Sequence, residues 1–183
     1  MKIAIIYDSV TGNTKKIAEA IRSVVKEDDL VYFGSVDEGV LPDASVYFLG
    51  SWTCKGNVSD KMHAYIDKLE DKRIAYFGTL GFCCDSDVYN RVVVSNVKTL
   101  IDEHNHFWYG YMCGGELQSS VLERYKAMKS AHPEEAERFD KMINNYYSSI
   151  GHPTSEEIEH AKCWAEDVID VFRGNAKPVR YKS

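Results

Sequence analysis

Short apolar runs alternate with stretches whose apolar residues recur every three or four positions, and this rhythm persists from the first residues almost to the last. Ile3 to Tyr7 is the first run, followed by Ile17, Ile21, Val24 and Val25 on one helical face. Leu30 to Phe33 predicts a second strand, and Pro42 to Ala44 lead into a third at Val46 to Gly50. Met62, Tyr65, Ile66 and Leu69 predict a helix, and Arg73 to Gly78 a fourth strand. A helix carrying Val93, Val97, Leu100 and Ile101 precedes the fifth strand, Phe107 to Cys113. The last helix opens at Thr154, with Glu157 three residues on as a capping box, and runs through Ile158, Ala161, Ala165, Val168 and Phe172 to Gly174.

Buried strands alternating with amphipathic helices require a parallel sheet covered on both faces. The expected fold is therefore α/β, a doubly wound five-stranded sheet in the order 2-1-3-4-5, forming one domain over residues 1–183. Residues 114–151 add two helical pieces between the fifth strand and the last helix. One carries Val121, Tyr125 and Met128, the other Ala136, Phe139, Ile143 and Tyr146.

In such a sheet a ligand lies outside the carboxyl ends of the strands, where the strand order reverses between the first and third. Three loops meet there. The first, Ser9-Val10-Thr11-Gly12-Asn13-Thr14, joins the first strand to the first helix, so unpaired helical N–H groups and the positive end of the helix dipole face outward. Hydroxyls and a glycine in that place suit a phosphate; an ordinary cap, with Asn13 or Thr11 starting the helix, is the alternative. Lys15 and Lys16 oppose the dipole in the first turn and are more comfortable beside an anion. The other two loops are Ser51 to Asn57 and Thr79 to Asp85.

Ser9, Thr11, Gly12 and Thr14 fill every position of the pattern Ser/Thr-x-Thr-Gly-x-Thr after the first strand, and so the chain resembles the flavodoxin superfamily. Neither a Walker A loop nor a Gly-x-Gly-x-x-Gly fingerprint is present. The resemblance covers roughly the first five strands and the last helix, with the helical insertion after the fifth strand placing the chain in a less-characterised branch. It implies bound FMN, held by Ser9, Val10, Thr11, Gly12, Asn13 and Thr14 at the phosphate and by Ser51, Trp52, Thr53, Lys55 and Gly56 beside the ring. Thr79, Leu80, Gly81 and Phe82 would close the other side, and the Gly56 carbonyl would turn toward the ring on reduction. It also implies an electron carrier serving a partner reductase. The alternative within the same fold is an NAD(P)H-dependent reductase of flavins or quinones. A flavodoxin-like module without flavin is disfavoured by the intact loop.

Charge sharpens this picture a little. The 28 acidic and 22 basic residues give a formal charge of −6. Lys177, Arg180 and Lys182 stand in a tail without acids, read as a frayed terminus, so the acidic excess lies in the body. That sign disfavours nucleic acid and helps steer the chain to a basic protein partner. No run approaches a membrane span or a signal peptide, and five cysteines without a Cys-x-x-Cys pair suit a reducing compartment, so a cytoplasmic protein is expected. Cys54, Cys83, Cys84 and Cys113 fall near strand ends, where tight packing is the reading preferred to a thiol cluster, and Cys163 is expected inside the last helix's packed face. His104 and His106 lie at the opposite rim and His152 in a turn, so no metal site is expected, and no catalytic residues can be assembled. The sequence leaves the oligomeric state open.

Overall fold

A computed structural model describes residues 1–82 and 86–175. Five parallel strands form one sheet: β1 (Ile3–Asp8), β2 (Leu30–Ser35), β3 (Val46–Trp52), β4 (Arg73–Leu80) and β5 (His106–Gly114), in the order β2-β1-β3-β4-β5. The expected doubly wound order is what the chain adopts. Six α-helices are present among the described residues: α1 (Asn13–Val24), α2 (Asp60–Ile66), α3 (Asp87–Ile101), α4 (Ser119–Ala131), α5 (Ala136–Ser149) and α6 (Ser155–Phe172).

Successive strand side chains point to opposite faces, and each face meets a helical pair. Ile3, Ile5, Val46, Phe48, Ala75 and Phe77 pack against Ile17, Ala18 and Ile21 of α1 and Ala161, Trp164, Ala165 and Val168 of α6. Ala4, Ile6, Tyr47, Leu49, Ile74 and Tyr76 pack against Met62, Tyr65 and Ile66 of α2 and Val93, Val97 and Ile101 of α3. With both faces buried, strands β1, β3 and β4 lose the polar alternation of a half-solvated sheet and read as continuous apolar runs.

Several elements differ at their ends from the sequence pattern. β3 and β4 run two residues further, to Trp52 and Leu80, because pairing continues through Trp52 with Thr79 and Leu80 with Gly114. α2 stops at Ile66, and Leu69 reaches the core from a tight turn in which its N–H donates to Ile66 O at 2.9 Å. In the insertion, Tyr125, Phe139 and Tyr146 are buried as expected, but Met128 is exposed and Leu122 takes its place inside. Cys163, expected on the packed face of α6, is exposed, since Ala161, Trp164, Ala165 and Val168 occupy that face. Cys83, Cys84 and the basic tail, Lys177, Arg180 and Lys182, lie outside the described residues.

Helices α4 and α5 pack on each other as a two-helix arm that leaves the sheet at the carboxyl end of β5. The segment that leads into it is interlocked with its surroundings: Gly115 N donates to Leu80 O at 2.9 Å, Glu116 N to His152 O at 2.9 Å and Leu117 N to Ser149 Oγ of α5 at 3.1 Å.

Gly50 of β3 lies opposite Phe77, and a methyl group on it would sit 2.1 Å from that ring. Gly50→Ala is expected to cost about 1–3 kcal/mol through overpacking, read as a fall of several degrees in Tm. An unchanged Tm would contradict this packing.

Candidate functional site

The carboxyl ends of β1, β3, β4 and β5 surround a cleft of about 260 Å³. Val10, Thr11 and Asn13 line it from the first loop, Trp52 and Thr53 from the end of β3, and Thr79 and Gly81 from the end of β4. Gly115, Glu116, Leu117, Gln118 and Val121 line it from the segment after β5. The first three groups are those the sequence pointed to. The fourth was missed, although the rule that ligands lie at carboxyl ends applies to β5 as to the others.

At the first loop, α1 begins without a side-chain cap and without an acid in its first turn. Among the described residues the amides from Val10 to Thr14 have no acceptor, while Lys15 N donates to Ser9 Oγ at 3.2 Å and Lys16 N to Gly12 O at 3.0 Å. Gly12 holds φ +89°, which a side chain adopts only with strain, and nothing lies within 4 Å of where its Cβ would be. The loop is therefore an open ring of N–H donors at the positive end of a helix, the arrangement that accepts a phosphate.

Beneath it lies a floor of hydroxyls. Thr14 Oγ1 and Thr79 Oγ1 are 2.9 Å apart and buried, tying the first turn of α1 to the end of β4. Thr53 N donates to Thr79 O at 2.8 Å, and Thr53 Oγ1 is buried with no partner among the described residues. A buried hydroxyl left unbonded is costly, so this atom fits a polar ligand group entering the cleft. Asn13 Nδ2 donates to Glu116 O at 2.9 Å and joins the loop to the segment after β5.

Trp52 is held by its indole N–H, which donates to Asp8 Oδ2 at 2.9 Å; Asp8 itself is buried at the end of β1. An oriented indole offers a flat apolar face to a planar ring. Ser51, by contrast, is buried away from the cleft: its hydroxyl donates to Trp52 O at 2.8 Å and accepts from Ser59 N at 2.9 Å, which shapes the loop. Lys55 and Gly56 also lie off the cleft lining. With φ of +50° and +79° they form the centre of a two-residue hairpin closed by Cys54 and Asn57. The Gly56 carbonyl, expected to turn toward the ring, accepts from Asn96 Nδ2 at 2.9 Å, and the same peptide's Asn57 N–H donates to Cys54 O at 2.9 Å. Rotating that peptide breaks both bonds.

The cover expected from Leu80 and Phe82 is placed elsewhere. Leu80 is only 3% exposed within the sheet, and Phe82 is 47% exposed, edge-on to Tyr89 and outside the cleft lining. Gly81 remains at the cleft because it has no side chain: a Cβ there would meet Leu117 Cδ2 at 2.3 Å. The apolar residues of the cleft are thus Val10, Trp52, Leu117 and Val121. Asp85 lies outside the described residues.

The wall after β5 is secured by one carboxylate. Glu157 Oε1 accepts from Gly114 N at 2.7 Å, and Oε2 accepts from Thr154 N at 2.6 Å and from His152 Nδ1 at 2.7 Å. A carboxylate has no proton to give, so His152 must donate from Nδ1. Burial works against the charged form of Glu157, but the Thr154 and Gly114 amides and then His152 outweigh it and hold the carboxyl below its usual 4.5. The Cys113 thiol, buried one residue before Gly114 and facing the Glu157 charge, is pushed well up and stays protonated. That agrees with a packing role. Cys54 is half-buried in the hairpin. His106 is exposed at the far rim, its Nε2 2.7 Å from Asp71 Oδ1. No helix among the described residues is long and apolar enough to cross a membrane.

Because its native pKa is depressed, the Glu157 contribution is complete above the ordinary glutamate pKa and is lost as pH falls through the lower native value. Glu157→Gln is expected to lower stability by about 1–3 kcal/mol at pH 7, with the gap to the unsubstituted protein closing below pH 4.5. Thermal melts across that range measure it, and a gap independent of pH would contradict the charged clamp.

A family model described as a flavodoxin domain matches residues 4–166. A flavodoxin-like domain-containing protein named BilS, from Clostridium symbiosum, is 33% identical over an alignment of 174 residues that covers 86% of this chain and 90% of that protein. A protein of the same name from Clostridioides difficile is 29% identical over an alignment of 172 residues that covers 92% of this chain and 97% of the relative. The crystal structure of oxidised flavodoxin 1 from Bacillus cereus shares the fold, with a TM-score of 0.58 at 16% identity over 93% of this chain and 98% of that one.

Proposed function

The chain belongs to the flavodoxin family, and we propose that it is an FMN-dependent electron carrier that passes electrons to a partner reductase. FMN is the cofactor that this domain implies, and the residues present fit it. The observation that carries the reading is the uncapped start of α1, whose free amides face the mouth of a cleft containing an unpartnered Thr53 hydroxyl. When bound, FMN supplies one- and two-electron redox chemistry. The amides from Val10 to Thr14 bind its phosphate, Thr53 donates to or accepts from a polar group of the cofactor, and Trp52, fixed by Asp8, orients the ring and excludes water from one side.

The acidic body supports a basic docking partner by electrostatic steering. The matched span, residues 4–166, includes both helices of the arm, which supports reading the chain as one domain. We place the carrier in the cytoplasm, on the grounds of its cysteine usage and the absence of a spanning helix among the described residues.

Reconstitution tests the assignment. The protein is expected to take up FMN and turn yellow, and NADH or NADPH alone should reduce it far more slowly than the same nucleotide with a separate flavoprotein reductase. Failure to take up FMN would overturn the cofactor assignment, and rapid direct reduction would favour the reductase alternative. Gly12→Ala, strained at φ +89°, is expected to weaken FMN binding about tenfold, measured by quenching of flavin fluorescence.

A further inference from the structure

The sequence Gly114 to Leu117 makes an unusual set of contacts: each of four consecutive amides donates to a different part of the molecule. Gly114 N reaches the Glu157 carboxylate on α6, Gly115 N the end of β4, Glu116 N the turn before α6, and Leu117 N the Ser149 hydroxyl at the end of α5. A backbone pinned in this way has little freedom, and it is pinned along the wall of the cleft.

Two close approaches show that the wall is fitted to the other loops. A Cβ on Gly115 would lie 3.2 Å from Asn13 Nδ2 and 3.3 Å from Thr79 Cβ, and a Cβ on Gly81 would strike Leu117. Asn13, 7% exposed in the first turn of α1, reaches across to donate to Glu116 O at 2.9 Å. Asn145 of α5 adds a second tie, donating to Gly81 O at 2.8 Å. Leu117 and Val121 are half-buried and present two of the four apolar side chains in the cleft.

We propose that the segment from Gly115 to Val121 is a fourth cofactor-binding loop, in which Leu117 and Val121 supply aliphatic cover to the flavin and Asn13 is a positioning residue that holds the segment against the phosphate loop. The proposal rests on the FMN reading above. On this account the α4–α5 arm is part of the cofactor site, since α4 carries Val121 and α5 carries the Ser149 and Asn145 ties. The ring is covered by Trp52 together with aliphatic groups, and the phosphate end of the cleft is mechanically joined to its wall through one amide side chain.

Two measurements on the full chain test it. First, FMN affinity and the visible spectrum of the bound flavin are compared for the unsubstituted protein, Leu117→Ala and Val121→Ala, with Met128→Ala, exposed on α4, as the control. Each cleft variant is expected to raise Kd about three- to tenfold and to shift the spectrum toward that of free flavin, with the control unchanged. FMN bound at full strength by both Leu117→Ala and Val121→Ala would overturn the fourth loop while leaving the cofactor assignment standing. No uptake by the unsubstituted protein would overturn both. Second, hydrogen exchange of the Glu116 and Leu117 amides is followed in FMN-free protein with and without Asn13→Ala. A positioning role predicts exchange at least fivefold faster in the variant. Unchanged exchange alongside weakened FMN binding would show that Asn13 acts only by touching the ligand, and would overturn its positioning role.

Discussion

The carboxylate of Glu157 is the joint on which the ligand side of the molecule depends. It sits at the start of α6, where helical N–H groups already favour negative charge, and spends its two oxygens on three donors from β5 and the preceding turn. Through Gly114 it fixes where β5 ends, and so where the chain turns into the arm. Its own backbone carbonyl accepts from the Tyr111 hydroxyl at 2.6 Å, a second attachment between α6 and the same strand. Charge-assisted bonds of this kind are shorter and stronger than neutral ones, which suits a joint that bears several connections at once.

A parallel sheet makes that joint matter. All five strands deliver their carboxyl ends to one rim, so the loops that follow them are forced into proximity however distant they are in sequence. Here the neighbours along the rim are also bonded sideways: Thr14 to Thr79, Asn13 to Glu116, Trp52 to Asp8. These cross-links are short polar contacts between groups mostly removed from water, where losing a partner costs more than making the bond gains. The rim is consequently preorganised, with N–H groups pointing outward at one end and apolar side chains along the rest.

Electrostatics divide the same way. The chain as a whole carries excess acid, yet the first turn of α1 has none and contains Lys15 and Lys16. A local anion site in an acidic body is consistent with a bound phosphate and a partner of opposite charge, because the two act over different distances: amides at contact range, net charge over about a Debye length.

The alternation of apolar runs and helical stripes was enough to determine the class of fold and to put the loop between β1 and α1 at the carboxyl rim of the sheet, since both follow from local periodicity and from how a parallel sheet must be wound. The capping box of Thr154 and Glu157 was equally legible, being a local pattern. What tertiary structure alone decided is which side chains in those loops reach the cleft. Ser51 and Leu80 turned inward because β3 and β4 extend two residues further, whereas Phe82, beyond the end of β4, is exposed against Tyr89. Gly56 was taken by a bond to Asn96, forty residues away. Leu117 lines the cleft because Gly81, just beyond the end of β4, leaves it space. Periodicity reports how a segment meets its neighbours in sequence, whereas a cleft is built from contacts between segments that only folding brings together.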